Sequence, residues 1–352
     1  MTKKHTLLSI IALFLFAVTM TAFTGCKKDE SLIKGNLMYY QVDKYPIALA
    51  IGSDDIVWVA CEEGQSVLEI ASNGEILNTY ALSSKPMDLA IDGSGQVWIP
   101  ISNGNLLKLD PTTGNIDSFT ISLSPKHITI DSYGNIWIGG DNMIKKVGAN
   151  GNILATVNFN GSLHNMVIGP QNNVWLLINS YENEDKILEI STNGTILKTL
   201  LNPTRAWDLS FDHDGHLLLY DIHGPRLVQL NSNGEINAEL SFGDQSNGAG
   251  SMPRGIAIAS DGTIWTVNSA TITAISSELS GIVESYDNGN TTVSGIAMVP
   301  KAIAIDSKGN VWLAIANDWE ATQSVEENTS IGRLTRVAHG PQFFPITGPV
   351  WP

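Results

Sequence analysis

The chain reads as an all-β protein: a seven-bladed β-propeller of four-stranded blades, its ring closed by an N-terminal strand. Three observations predict this. First, an apolar residue is followed seven positions later by Trp or Leu in seven places: Ile51 to Trp58, Ile91 to Trp98, Ile130 to Trp137, Ile168 to Trp175, Phe211 to Leu218, Ile258 to Trp265 and Ile305 to Trp312. Second, that interval is constant while the distance between repeats drifts from 38 to 47 residues. One hairpin built seven times, with loops of different length, has this signature, and periods of this size mark propellers and solenoids. Third, the seventh unit lacks a fourth strand, and the N-terminal end offers one without a partner.

The N-terminus carries an address. Lys3 and Lys4 precede a nearly all-apolar run from Leu7 to Val18, then Phe23-Thr24-Gly25-Cys26. This is the layout of a secretory signal, too short for a stable membrane span. The Thr24-Gly25-Cys26 end resembles the lipobox of bacterial lipoproteins, with Phe23 where Leu is commoner. The resemblance implies cleavage before Cys26 and a lipid on that residue. Lys27-Lys28-Asp29-Glu30 is similar to the surface-export signal of Bacteroidetes lipoproteins and reads equally as a plain charged tether. Residues 1–25 are thus expected as signal peptide, 26–35 as lipidated Cys and tether, 36–340 as propeller and 341–352 as a C-terminal tail. With one of two cysteines lipidated, no intramolecular disulfide is expected.

Each unit then parses into four strands. Strand a follows a Pro slot, occupied by Pro46, Pro86, Pro125, Leu163, Ala206, Pro253 and Pro300. Apolar residues sit three and five places on, with a small or β-branched residue between, the alternation of a half-buried strand. A turn follows, such as Asp131-Ser132-Tyr133-Gly134, in which the Asp carboxylate caps and Gly supplies positive φ. Asp212-His213-Asp214-Gly215 is read as the same turn rather than a calcium loop. Strand b carries the Trp, and six of nine Trp hold this one position. Each is expected to contribute roughly 2–3 kcal/mol of burial between blades. Leu218 stands in for Trp in the fifth unit, so that interface is expected to be the weakest. Strand c is short and apolar, and strand d follows a Gly turn such as Asn73-Gly74 or Asn193-Gly194, a strong hairpin signal.

Unit seven has strands a, b and c (330–337) but no Gly turn. The segment from Leu37 to Val42 follows Gly35-Asn36 and looks like the second half of a c–d hairpin. Pairing the two shuts the ring and removes open sheet edges. A six-bladed ring with a spare hairpin is the alternative.

The formal charge of −15 argues against nucleic-acid phosphates as a partner. Strands a and b run antiparallel, so the start of a and the end of b share one face of the disc. The residue after each Pro slot then rings the channel mouth: Ile47, Met87, Lys126, His164, Trp207, Arg254 and Lys301. Three cations, a His and a Trp converge there in an acidic protein, a funnel for a polar or anionic ligand. The ends of strand b add Asn179, Asp221, His223 and Asn268. The 317–329 loop and the Gly- and Ser-rich 243–252 stretch overhang the same mouth.

The repeats themselves resemble known families. Leu106-Leu107-Lys108-Leu109-Asp110-Pro111-Thr112-Thr113-Gly114-Asn115-Ile116 and Ser330-Ile331-Gly332-Arg333-Leu334 are similar to the repeat of virginiamycin B (streptogramin) lyase-like propellers. Phe242-Gly243-Asp244 through Pro253-Arg254-Gly255-Ile256-Ala257-Ile258 resembles an NHL repeat. The lyase resemblance implies metal-assisted elimination of a cyclic depsipeptide ester by His and Glu at the mouth. His164 falls in a matching slot, whereas the strand-b ends read Cys61, Ile101, Gly140, Ile178, Asp221, Asn268 and Ile315, with no His/Glu pair on one blade.

The expected function is therefore a bacterial outer-membrane lipoprotein, periplasmic or surface-exposed and monomeric. Its funnel binds a small molecule, a glycan or an envelope protein through Lys126, His164, Trp207, Asp221, His223, Arg254, Asn268 and Lys301, with no catalytic residue, metal or cofactor. The alternative is a divergent lyase-like enzyme with a divalent metal on His164, His223 and Asp221. A structural scaffold in an envelope complex is the third reading.

Overall fold

The structure is a computed structural model that describes residues 37–179, 184–221, 226–241, 253–268, 271–287, 298–317 and 330–334. These residues form seven four-stranded antiparallel sheets, and the innermost strands pack side by side around the ring. The first blade shows the plan, with strands Pro46–Ile51, Val57–Cys61, Ser66–Ile70 and Ile76–Ala81 from channel to rim.

The constant interval of seven has a direct cause. In every blade, strands a and b are joined by a turn closed by one backbone hydrogen bond across four residues, as in Asp131 N to Asn135 O at 3.0 Å and Asp306 N to Asn310 O at 3.0 Å. A turn of fixed length fixes the register, which sets each Trp beside a small or β-branched residue of strand a. Ala50 lies opposite Trp58, Ala90 opposite Trp98 and Ala304 opposite Trp312. The indole thus covers a neighbour with little bulk of its own.

The turn Asp does more than cap. Asp306 Oδ1 accepts from Lys308 N and Asn310 N, while Oδ2 accepts from Trp312 Nε1 at 3.1 Å. Asp92 and Asp131 hold Trp98 and Trp137 in the same way, at 2.8 and 3.1 Å. Where the slot is Gly169 or Ala259, the buried Nε1 of Trp175 or Trp265 has no hydrogen-bond partner among the described residues. In blade five Asp212 keeps its place and takes His216 Nδ1 at 3.0 Å and Gln229 Nε2 at 2.9 Å, which is turn chemistry. Asp306→Ala leaves the Trp312 N–H and two turn amides without their acceptor, and should lower stability by about 2–3 kcal/mol in urea unfolding.

The ring closes as the sequence predicts. Strand Leu37–Gln41 pairs antiparallel with Ser330–Leu334, from Leu37 opposite Leu334 to Gln41 opposite Ser330. This completes a blade with Met298–Ile305 and Val311–Asn317, so the count is seven rather than six. Tyr40 stacks on Trp312 with centroids 6.1 Å apart. A side chain on Gly74 of blade one, which sits at φ +90°, would collide with the Tyr40 ring. That turn therefore needs Gly for its backbone and for the close approach. Ser307 N and Oγ also reach Asp55 across the seam at 2.9 and 2.8 Å. The Ser307 amide is the main cause holding the Asp55 carboxyl below its usual range.

Candidate functional site

The mouth is built from bulges. In six inner strands the pairing with strand b slips by one residue just after the Pro slot, for example between Pro125 and His127 and between Ala206 and Asp208. The skipped residues are Ile47, Lys126, His164, Trp207, Arg254 and Lys301. In the second blade Pro86 bridges Ile101 and Met87 N donates to Pro100 O at 2.9 Å, so Met87 holds the same place. A bulge leaves one residue outside the ladder and re-aims its side chain. The seven residues assigned to the mouth are thus set apart by one backbone device, and all are half-buried.

Three of them form one group. The His164 ring meets Trp207 edge-on at 5.0 Å and 82°, and the Arg254 guanidinium lies over the Trp207 ring at 5.8 Å. Burial pushes the His164 imidazole below its ordinary value, and the nearby His127 and Lys126 push it further, so it is neutral near pH 7. The other two cations are held in pairs. Lys126 Nζ bonds Asp141 Oδ1 at 2.7 Å and Ser162 Oγ at 2.8 Å. Burial works to raise the Asp141 carboxyl, but the bonds it accepts from Lys126 Nζ and from Ser162 Oγ outweigh it and hold it low. Lys301 lies over the Tyr45 ring at 5.4 Å.

The strand-b ends are placed differently. Asp221 is buried, pairs with Arg226 Nε at 2.9 Å and accepts from Arg205 N at 3.3 Å. Asn268 is buried and accepts from Thr271 N at 2.7 Å. Asp221 thus ties the b–c corner to the start of strand a, and Asn268 Nδ2 also reaches Tyr220 OH of the preceding blade at 3.5 Å. His223, the 318–329 loop and the 243–252 stretch lie outside the described residues, as do residues 1–36 and the tail. Among the described residues no three His, Cys, Asp or Glu side chains come together to hold a metal ion.

One layer was missed by sequence reasoning. The position after the bulge is polar in four consecutive blades, as Asp88, His127, Asn165 and Asp208, and Ala48, Gly255 or Ala302 in the others. That run at a fixed offset from the Pro slot was the available signal. Asp88 accepts from its own neighbour Leu89 N at 2.8 Å and from Ile128 N of the next blade at 3.0 Å, with His127 Nδ1 3.7 Å away. Asp208 accepts from Leu209 N at 2.8 Å, from Ile256 N of the next blade at 2.7 Å and from Asn165 Nδ2. These carboxylates staple neighbouring inner strands beneath the mouth.

Burial raises Asp208 to about 6, against hydrogen bonds that pull the other way. The folded state therefore holds this proton more tightly than the unfolded chain does. Its contribution is full below pH 4 and is lost as pH rises from about 4 to 6, by about 2–3 kcal/mol. In Asp208→Asn that slope should vanish from urea midpoints measured between pH 4 and 7; an unchanged slope would exclude Asp208 as its source.

The sequence profile of the Virginiamycin B lyase family matches residues 36–319. No curated protein matches the chain. Among solved structures, the selenomethionine-substituted virginiamycin B lyase from Staphylococcus aureus is 20% identical with a TM-score of 0.69, covering 86% of this chain and 99% of its own. A streptogramin B lyase structure is also 20% identical at TM-score 0.69, over 85% and 97%. A catalytically inactive His-to-Ala variant of the S. aureus enzyme with quinupristin gives the same identity and TM-score over 86% and 99%. At this identity the structures speak for the fold, seven blades in a ring. The profile spans most of the chain, and the chain belongs to the virginiamycin B lyase family.

Proposed function

We propose that the protein is a cell-envelope lipoprotein, anchored in a bacterial outer membrane by a lipid on Cys26, whose channel mouth captures a polar or anionic ligand without turning it over. The observation that carries this reading is the His164–Trp207–Arg254 group, displayed on three successive bulges. Trp207 offers an apolar face, Arg254 a cation with planar donors, and His164 a neutral imidazole. Together they suit a small molecule or glycan bearing an anionic group beside a flat apolar surface. Lys126, paired with Asp141, and Lys301 flank the group on either side. Asp221 and Asn268 are assigned to the outer part of the same site, with His223 added from the sequence alone, on a monomer with no cofactor.

A calorimetric screen of glycans and anionic metabolites tests it. Trp207→Ala/Arg254→Ala should weaken any mouth ligand at least tenfold; a ligand bound equally well by the variant does not use the mouth.

Family membership favours a second reading, ring-opening elimination of a cyclic depsipeptide with His164 as base. Burial keeps that imidazole in the proton-accepting form. Incubation with a streptogramin B antibiotic and a divalent metal would then yield the linear product, lost in His164→Ala. Recovery of intact antibiotic would leave capture without turnover.

A further inference from the structure

Strand d begins on the disc face opposite the mouth, because the c–d turns share a face with the a–b turns. Its first residue is Ile in six blades: Ile76, Ile116, Ile153, Ile196, Ile236 and Ile282. Each pairs with the buried last residue of strand c, yet each is 37–46% exposed. In four blades the next residue is skipped by the ladder and is also apolar: Leu77, Leu154, Leu197 and Val283, 44–55% exposed. Strand d is the outer edge of its blade. Edges are ordinarily guarded by charge or Pro, and a bulge there shields the ladder. Here the bulges push aliphatic side chains outward, giving a repeated apolar belt on the outer rim.

In the seventh blade the same register position is Leu37, opposite Leu334. The segment that follows Cys26 therefore joins the propeller on this rim. Eleven residues from Cys26 to Asn36 span at most about 35–40 Å when extended, so a lipid on Cys26 confines this rim to within that distance of the membrane.

We propose that the belt at the start of strand d docks on the lipid surface, holding the disc with its mouth turned away from the bilayer. This rests on the lipidation of Cys26. The net charge of −15 disfavours anionic lipid, so the matching surface is neutral.

The full chain, produced in a lipoprotein-processing bacterium and reconstituted in phosphatidylethanolamine/phosphatidylcholine vesicles containing brominated lipid, tests the proposal. Asn152→Cys beside the belt, or Ser83→Cys on the mouth side, carries a fluorophore. Cys61 is buried, and burial pushes its thiol up to about 12, so it does not react. Quenching at least threefold greater at position 152 than at 83 is expected. The difference should disappear in Leu77→Ser/Leu154→Ser/Leu197→Ser/Val283→Ser, whose sites are exposed and whose folding is checked by its unfolding midpoint. Equal quenching at both positions in the parent chain overturns docking, as does belt-to-belt dimerisation in sedimentation. The anchor is read separately: intact mass of the parent chain should show cleavage before Cys26 and a lipid on it, and an unmodified Cys26 would refute the lipid while the quenching still reports on the belt.

Discussion

Deleting residues 37–42 should abolish cooperative unfolding. Strand Leu37–Gln41 supplies the fourth strand of blade seven, Tyr40 covers Trp312, and Val42 is buried with Val57, Cys61 and Trp312 in the core between blades seven and one. Buried Val42 and half-buried Tyr40 at about 1–2 kcal/mol each, plus ladder hydrogen bonds at about 1 kcal/mol each, exceed 5 kcal/mol. That is comparable to the net stability of a whole domain. The shortened chain would also expose Ser330–Leu334 as an open edge. Urea unfolding followed by Trp fluorescence should lose its sigmoid, and a synthetic peptide of residues 37–42 added in excess should restore part of it. A sharp transition at the parent midpoint in the deleted chain would show that the seam is closed by other contacts.

The second large effect is at Trp98. It is fully buried, stacks on Phe119 at 5.9 Å, lies beneath Lys108 at 5.2 Å and donates to Asp92. Trp98→Ala should cost about 3–5 kcal/mol, through the cavity and the acceptor left behind. Trp265 provides the internal control. It is equally buried and stacks on Tyr286 at 6.2 Å, but its N–H has no acceptor among the described residues. Replacement by Phe keeps the ring and removes only the N–H. Trp98→Phe should therefore cost about 1–2 kcal/mol more than Trp265→Phe, and equal losses would deny Asp92 its role.

The fold was legible because its regularity is local. The a–b turn has constant length, so the Ile-to-Trp interval survives every change of loop, and the half-hairpin at Leu37 could be matched to the blade that lacked one. That Ile47, Met87, Lys126, His164, Trp207, Arg254 and Lys301 share one place in their blades was also legible, since each follows a Pro slot. That they sit on bulges was not, because a one-residue slip preserves the apolar spacing along strand a. Partners were harder still. Asn165 reaches Asp208 across 43 residues and Ile256 N reaches it across 48, distances set by the curvature of the ring rather than by any pattern within one blade. The same holds for Lys126, which reads as a lone cation in the sequence and is tied to Asp141 and Ser162 in the structure.

The seam also orders events in time. Strand Leu37–Gln41 is the first of the described strands to be synthesised, but its partner ends at Leu334, and Asp55 meets Ser307 across 252 residues of chain. Each hairpin within a blade can form from near neighbours, whereas closure waits for nearly the whole polypeptide. That strand thus waits through synthesis without its partner until the last blade is made. Refolding should end in a slow step that reports this single late event, with the blades already formed when it occurs.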